Sequence, residues 1–353
     1  MIHATFFSYR LDFKEPSGTS RGVLRQKESF FLQIIEDGQE GWGEVGILRG
    51  LSADDTPALE TQLSWTAKNI HLGLEELFAA NQMFPSIQFA LEQAFSHLKN
   101  GFCHFPSDFT LGRASQAING LIWMGDQSFM MDQIEQRLAE GFKTLKMKIG
   151  AISWNAEKIL LKGIRERFSA TELEIRVDAN GSFELDNAVK VSGYLSDIQV
   201  HSIEQPIPAG NNAALAKAVR LMQIPIALDE SLIGLFSLEK KCQLLDDINP
   251  PFIILKPSFI GGWGGSNDWV TLAEERGIQW WATSALESNV GLNAIAQWVF
   301  TKKNKIPQGL GTGSLYTNNI PGPLQVLNGE IKMRNDANQG WDLSVLRSNL
   351  LKQ

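Results

Sequence analysis

The feature that most constrains the fold is a rhythm. From about Phe105 onward, short apolar runs recur with longer amphipathic segments between them, roughly every 25 to 30 residues, the pitch of repeated βα units. The runs are "INGLIW", "TLKMKI", "EIRVDA", "VHSIEQ", "PIALDE", "FIILKP", "IQWWAT" and "PQGLGT". The segments between them include "MDQIEQRLAEGF", "NAEKILLKGIRERF", "DNAVKVSGYLSDI" and "NAALAKAVRLM", each with helical spacing of apolar residues. Eight buried strands alternating with helices predict an α/β fold, a TIM-like (β/α)-barrel, over residues 106–321.

The residues before this rhythm follow a different pattern. "SFFLQIIEDGQEGWGEV" reads as two strands joined by an Asp37-Gly38 turn. "PSIQFALEQAFSHLKNG" places Ile87, Ala90, Leu91, Ala94, Phe95 and Leu98 on one helical face, with Ser86 as N-cap and Gly101 as C′ residue. Residues 1–105 therefore form an α+β domain. The tail, residues 322–353, leaves the rhythm and is expected to pack back onto it.

Composition narrows the function classes. A net charge of −7 argues against nucleic acid or an anionic membrane as partner. No basic stretch followed by an apolar run opens the chain, and no apolar run reaches the roughly 18 residues of a membrane span. The only cysteines, Cys103 and Cys242, cannot build a disulfide framework and suit a reducing cytoplasm. Cys103 beside His104 reads as ordinary packing. "GGWGG", Gly261 to Gly265, lacks the Gly-Lys-Ser/Thr of a phosphate loop and reads as a close-packed turn after the sixth strand.

A barrel keeps its chemistry at the C-terminal ends of its strands. The second run carries Lys146 and Lys148, two apart and so on one face. The third ends in Asp178, the fourth in Glu204, the fifth in Asp229 and the sixth in Lys256. Singly, each has a structural explanation: a solvated face, an Asx turn, a loop acid, a helix cap, a snorkelling lysine. Jointly they require a charged group at the same end of five buried strands. Three converging carboxylates make an oxygen site for a hard divalent cation, Mg²⁺. Flanking lysines suit proton abstraction next to a carboxylate, where the cation stabilises an enolate. Lys148, nearer the strand end, is the candidate base. Lys146 is expected to lower its proton affinity by like charge, and Lys256 faces the substrate from the opposite side.

With these residues in place, the chain resembles the enolase superfamily, whose sites pair a Lys or His base with Mg²⁺. The resemblance covers almost the whole chain through "GWGE", "PSIQFALEQA", "GFKTLKMKIG", "RVDANGSF", "IEQP", "ALDES", "ILKP" and "SALESNVGL". Lysines on both the second and sixth strands are similar to the muconate-lactonizing subgroup. The resemblance implies a modified (β/α)7β barrel under an N-terminal α+β capping domain completed by the tail. It implies Asp178, Glu204 and Asp229 as ligands of Mg²⁺, with Mn²⁺ able to substitute. It also implies a lyase acting on a small-molecule carboxylate: Lys148 removes the proton α to a ring carboxylate and helps a hydroxyl leave from the same face, while Lys256 stabilises the enolate. Arg176 and Glu230 are implied as supports, and Ser284 and Gly311 as substrate contacts. Specificity is expected partly in capping loops near Ser17 to Arg25 and Arg49 to Asp54.

Racemisation of N-acylamino acids and epimerisation of dipeptides remain alternatives. The Asp-x-Asp of dipeptide epimerases has no counterpart in "GLGTG" of the eighth run, and the family pattern often has Asp where this chain has Gly311. A non-catalytic metal-binding barrel is a further alternative, opposed by lysines on both sides of the acids. Oligomeric state is not encoded in any motif found.

Overall fold

The structure, a computed structural model, describes residues 1–19, 22–150, 152–334 and 340–351. The first domain opens with an antiparallel meander of β1 (His3–Thr19), β2 (Gly22–Glu36) and β3 (Gln39–Val45). Asp37 and Gly38 both adopt positive φ, +50° and +81°, closing the β2–β3 hairpin with Glu36 opposite Gln39, as the Asp-Gly signal predicts.

The helix Pro85–Asn100 lies directly on β3. A Cβ on Gly41 or Gly43 would stand 2.1 Å from Ala94 O or 2.0 Å from Ala90 O, so only glycine lets the helix approach this closely. Its N-terminus differs from expectation. Pro85 takes the first helical position, and Ser86 is already inside the helix. The Ser86 hydroxyl and N–H both donate to Asp54 Oδ2, at 2.5 and 2.9 Å. Gly101 ends the helix with φ +60°.

A short strand, β4 (Ser115–Ala117), precedes the parallel sheet. This sheet contains β5 (Gly120–Ile122), β6 (Thr144–Lys148), β7 (Glu174–Asp178), β8 (Ser202–Glu204), β9 (Ile226–Leu228), β10 (Phe252–Leu255) and β11 (Gln279–Ala282), each paired with the next in sequence. Helices 127–139, 154–167, 185–197 and 212–221 fall within a few residues of the amphipathic segments. The eighth run forms no regular strand. It closes the barrel through two parallel bridges, Gln308 with Ile118 and Gly309 with Thr283. Leu145, Met147, Ile175, Val177, Ile203 and Leu228 belong to the large apolar core between sheet and helices.

"GGWGG" is not a turn throughout. Gly261, at φ +93°, ends a short helix at Pro257–Ile260, and the next helix, Gly262–Glu275, begins immediately. Its first N–H groups meet the capping domain: Trp263 N and Gly264 N donate to Glu92, at 2.5 and 2.9 Å.

The tail divides. β12 (Leu324–Leu327) and β13 (Glu330–Met333) form a hairpin that extends β4. The helix Ser344–Leu350 returns to β1, and Leu343 and Leu346 share a core with Phe7, Phe31 and Trp42. The two domains are also joined through Glu44 of β3. It accepts from Ser288 N at 3.0 Å, Ser288 Oγ at 2.6 Å and Gly291 N at 3.1 Å, capping the barrel helix Asn289–Thr301. Lys27 Nζ stands 3.8 Å from the same carboxylate, fully buried. Among the described residues no helix is long and apolar enough to cross a membrane, and both cysteines are free thiols.

Candidate active site

Strand register brings the charged residues together. Lys148 on β6 is level with Asp178 on β7, and Asp178 with Glu204 on β8. Asp229 follows the end of β9, and Lys256 follows the end of β10. All these side chains are buried or nearly so, and a buried charge needs a partner. Lys146 Nζ lies 3.0 Å from Asp178 Oδ2 and 2.5 Å from Glu204 Oε2. Lys148 Nζ lies 2.9 Å from Asp178 Oδ2 and donates to Asn180 Oδ1 at 2.7 Å. Lys256 is ion-paired with Asp229.

The electrostatics follow from this packing. Burial alone would raise Asp178, but the Lys146 and Lys148 ammonium groups outweigh it and hold the carboxyl well below its usual range. Burial opposes the charge on Lys146, yet Asp178, Glu204 and Asp229 together keep its proton affinity above normal. The same contest raises Lys256, through Asp229, Glu204 and Glu230. Burial, then the Asp178 and Asp229 charges, push Glu204 up to about 8. Lys146 therefore does not face Lys148 as a bare like charge; Asp178 bridges the two.

The acids suit a hard cation chemically. They offer only oxygen donors, from three neighbouring strands, and Glu204 Oε1 is buried with no hydrogen-bond partner. Glu204 is also the acid on which the mutual repulsion of the trio falls. Among the described residues no group of three or more His, Cys, Asp or Glu stands ready as a metal cluster; each acid faces a lysine instead.

The remaining expected residues fall differently. Arg176 lies two residues below Asp178 on the same face of β7, level with Lys146 and Ser202. Its guanidinium bonds Glu174 Oε1 at 2.7 Å and Pro307 O at 2.9 Å and covers Trp281, so it braces the barrel interior; among the described residues it donates no hydrogen bond to the three acids, though Glu204 feels its charge. Glu230 Oε1 accepts from Asn180 Nδ2 at 3.0 Å, linking it through Asn180 to Lys148. Ser284 lines the pocket, but its hydroxyl donates to Glu287 at 2.6 Å and accepts from Thr312 at 2.9 Å. Gly311 lies on the pocket wall beside Thr312.

Asn180 was not singled out by the sequence reading. "DANG" signals an Asx turn, and that turn is present, with Asn180 N donating to Asp178 Oδ1 at 3.0 Å. The same carboxylate uses its other oxygen for the lysines.

Above the charges the pocket is apolar. Leu24, Leu48 and Leu51 of the capping domain face Trp123, Phe259 and Leu286 of the barrel. Ser20 and Arg21, within the expected Ser17 to Arg25 loop, lie outside the described residues. A larger cleft of about 920 Å³ opens beyond Gly311 and Thr312 against β12, but none of the three lysines or three acids lines it. The three lysines and Asp178 line the smaller pocket instead.

Residues 130–341 match the family model for the enolase C-terminal domain-like fold, and residues 1–98 match that for the MenC N-terminal domain. The chain belongs to the enolase C-terminal domain-like family. It is 44% identical to an o-succinylbenzoate synthase of Desulfotalea psychrophila strain LSv54, over 90% of this chain and 96% of the relative. The crystal structure of MenC from that organism superposes with a TM-score of 0.83 at 40% identity, covering 94% of this chain and 99% of that one. An N-succinylamino acid racemase of Thermus thermophilus is 31% identical over 77% of this chain and 75% of the relative.

Proposed function

We propose that this chain is an o-succinylbenzoate synthase, a lyase of menaquinone biosynthesis that dehydrates 2-succinyl-6-hydroxy-2,4-cyclohexadiene-1-carboxylate to o-succinylbenzoate. The observation that carries the reading is the single pocket lined by Lys148, Lys256 and Asp178 beneath a lid of leucines, in a chain so similar to the Desulfotalea enzyme.

Asp178, Glu204 and Asp229 would hold Mg²⁺, or Mn²⁺ in its place, and that ion supplies Lewis-acid stabilisation of negative charge on a carboxylate oxygen. Lys148 Nζ takes the ring proton α to the carboxylate. It then returns that proton to the departing hydroxyl: one C–H and one C–O bond break, a ring double bond forms and water leaves. Asp178 and Asn180 hold Nζ in place for both transfers. Lys256, paired with Asp229, sets positive charge opposite the base, where negative charge develops as the proton leaves. Lys146 steadies Asp178 and Glu204. Arg176 braces the strand beneath, Glu230 orients Asn180, and Ser284 and Gly311 shape the wall on which the substrate lies. The leucine lid excludes water.

We assign residues 1–105, completed by the helix Ser344–Leu350, to the capping domain and residues 106–321 to the catalytic barrel, and we place the protein in the cytoplasm. The expected return of the whole tail onto the capping domain is corrected, since the β12–β13 hairpin pairs with β4 and packs on the barrel core. A second reading, racemisation of an N-succinylamino acid, draws support from the Thermus relative and from the presence of two lysines in one pocket. Purified protein with Mg²⁺ and the cyclohexadiene substrate should yield o-succinylbenzoate and water. No product, with α-proton exchange of N-succinylamino acids in D₂O instead, would transfer the assignment to the racemase.

A further inference from the structure

Two polar side chains in the pocket have no use within the protein. Asn119 is 4% exposed, its Oδ1 is buried without a hydrogen-bond partner, and among the described residues its carboxamide bonds nothing. Thr283 Oγ1 is likewise buried and unpartnered. Both line the pocket that holds the three lysines.

Barrel closure makes them neighbours. Thr283 pairs with Gly309, and Gln308 pairs with Ile118, so Thr283 and Asn119 stand on either side of Gly309. A Cβ on Gly309 would lie only 2.2 Å from Thr283 Oγ1, so the glycine leaves the hydroxyl its space. Thr283 also follows the end of β11, as Lys256 follows that of the paired strand β10. The row therefore runs from Lys256 through Thr283 and Gly309 to Asn119.

An orphaned buried polar group costs about 1–3 kcal/mol, and two flanking one glycine in a ligand pocket point to a ligand that satisfies them. The Thr283 hydroxyl can donate to a carboxylate, and so can the Asn119 carboxamide once it turns about its terminal bond, since no bond among the described residues holds it and Nδ2 then takes the place of the buried Oδ1. The lysines of the pocket serve the reacting end of the molecule in the reaction proposed above.

We propose that Asn119 and Thr283 form a neutral hydrogen-bonding subsite for the terminal carboxylate of the substrate's succinyl arm. The proposal rests on the function proposed above, since it takes the succinyl arm from that reading. Recognition by uncharged donors leaves the lysines to the reacting end of the molecule.

The test is calorimetric binding of o-succinylbenzoate and of 2-butyrylbenzoate, in which a methyl group replaces the terminal carboxylate. The proteins are wild type, Asn119→Leu and the near-isosteric Thr283→Val, all with Mg²⁺. Loss of one hydrogen bond to a charged group should weaken o-succinylbenzoate roughly 10- to 100-fold in each variant. Binding of 2-butyrylbenzoate should stay unchanged, which also shows that the variant pocket is folded. In turnover, KM should rise with kcat nearly constant. Equal weakening of both ligands, or of neither, would overturn the subsite and leave the two groups to an ordered water. Wild type that binds o-succinylbenzoate but does not turn over the cyclohexadiene substrate would overturn the proposed reaction and leave the subsite standing. Wild type that does not bind it would overturn both.

Discussion

Lys146 and Lys148 meet at a single atom: their ammonium nitrogens stand 3.0 and 2.9 Å from the same Asp178 Oδ2. Neither lysine can be changed without altering what the other faces, so their variants should differ in kind. Lys148→Ala should lose dehydration and α-proton exchange together, by about 10²-fold or more, the usual contribution of a general base. Lys146→Ala should keep slow exchange and hold the divalent cation at least as tightly, because the ion no longer competes with an ammonium group for Asp178 and Glu204. Proton exchange by NMR in D₂O, beside Mn²⁺ binding by electron paramagnetic resonance, separates the two. Retained exchange in Lys148→Ala would move the base to Lys256.

Removal of divalent cations should abolish turnover, and Mg²⁺ or Mn²⁺ should restore it. Binding to the folded state alone also raises the unfolding temperature. Glu204→Gln should lose most of that thermal increment, since Glu204 Oε1 is the acid oxygen left without a partner. Full activity in protein stripped with EDTA would refute the metal assignment.

Glu44→Ala should destabilise the protein by about 3–5 kcal/mol, the usual penalty for breaking a buried charge pair. The substitution strands Ser288 N and Gly291 N and leaves buried Lys27 with only Ser29 Oγ and the more remote charge of Glu287. Urea unfolding reads the loss directly. A change below about 1 kcal/mol would mean that Glu44 does not hold the domains together, since even one orphaned buried donor costs about that much.

Stability should also fall in mild acid. His97 is buried and accepts Trp42 N–H at its Nδ1 at 3.0 Å, so that nitrogen carries no proton in the fold. Burial, against the opposing charge of Glu40, lowers its pKa from 6.5 to about 4. The unfolded chain thus binds the extra proton first, and stability present above pH 6.5 is lost as pH falls toward 4. Linkage gives about 2 kcal/mol at pH 5 from this residue. His97→Asn, which cannot titrate, should flatten that part of the urea midpoint against pH.

The barrel was legible because a parallel sheet writes itself as short apolar runs, and a charge at the end of such a run stands out. Lys148, Asp178, Glu204, Asp229 and Lys256 stand out that way, and the sheet brings them together. Ser86 was misplaced as a cap because its partner, Asp54, is remote in sequence and Pro85 had already taken the first helical position. Arg176 shares a strand and a face with Asp178, but only the structure shows that it reaches Pro307. Asn119 and Thr283 escaped notice because uncharged residues near strand ends are common; what marks them is the lack of a partner, a property of packing. The eighth run gave no hint that it would close the barrel through two bridges.

The shared core of Phe7, Phe31 and Trp42 with Leu343 and Leu346 has a consequence for biosynthesis. The capping sheet emerges from the ribosome first and the helix Pro85–Asn100 soon covers one face, yet the face bearing Phe7, Phe31 and Trp42 is completed only when Leu343 and Leu346 follow the whole barrel. Domains generally fold as they emerge, but this one must wait with three large aromatic side chains unprotected. Chaperone demand during translation should therefore fall on the amino-terminal sheet, and truncation before Leu343 should yield aggregates carrying a well-formed barrel.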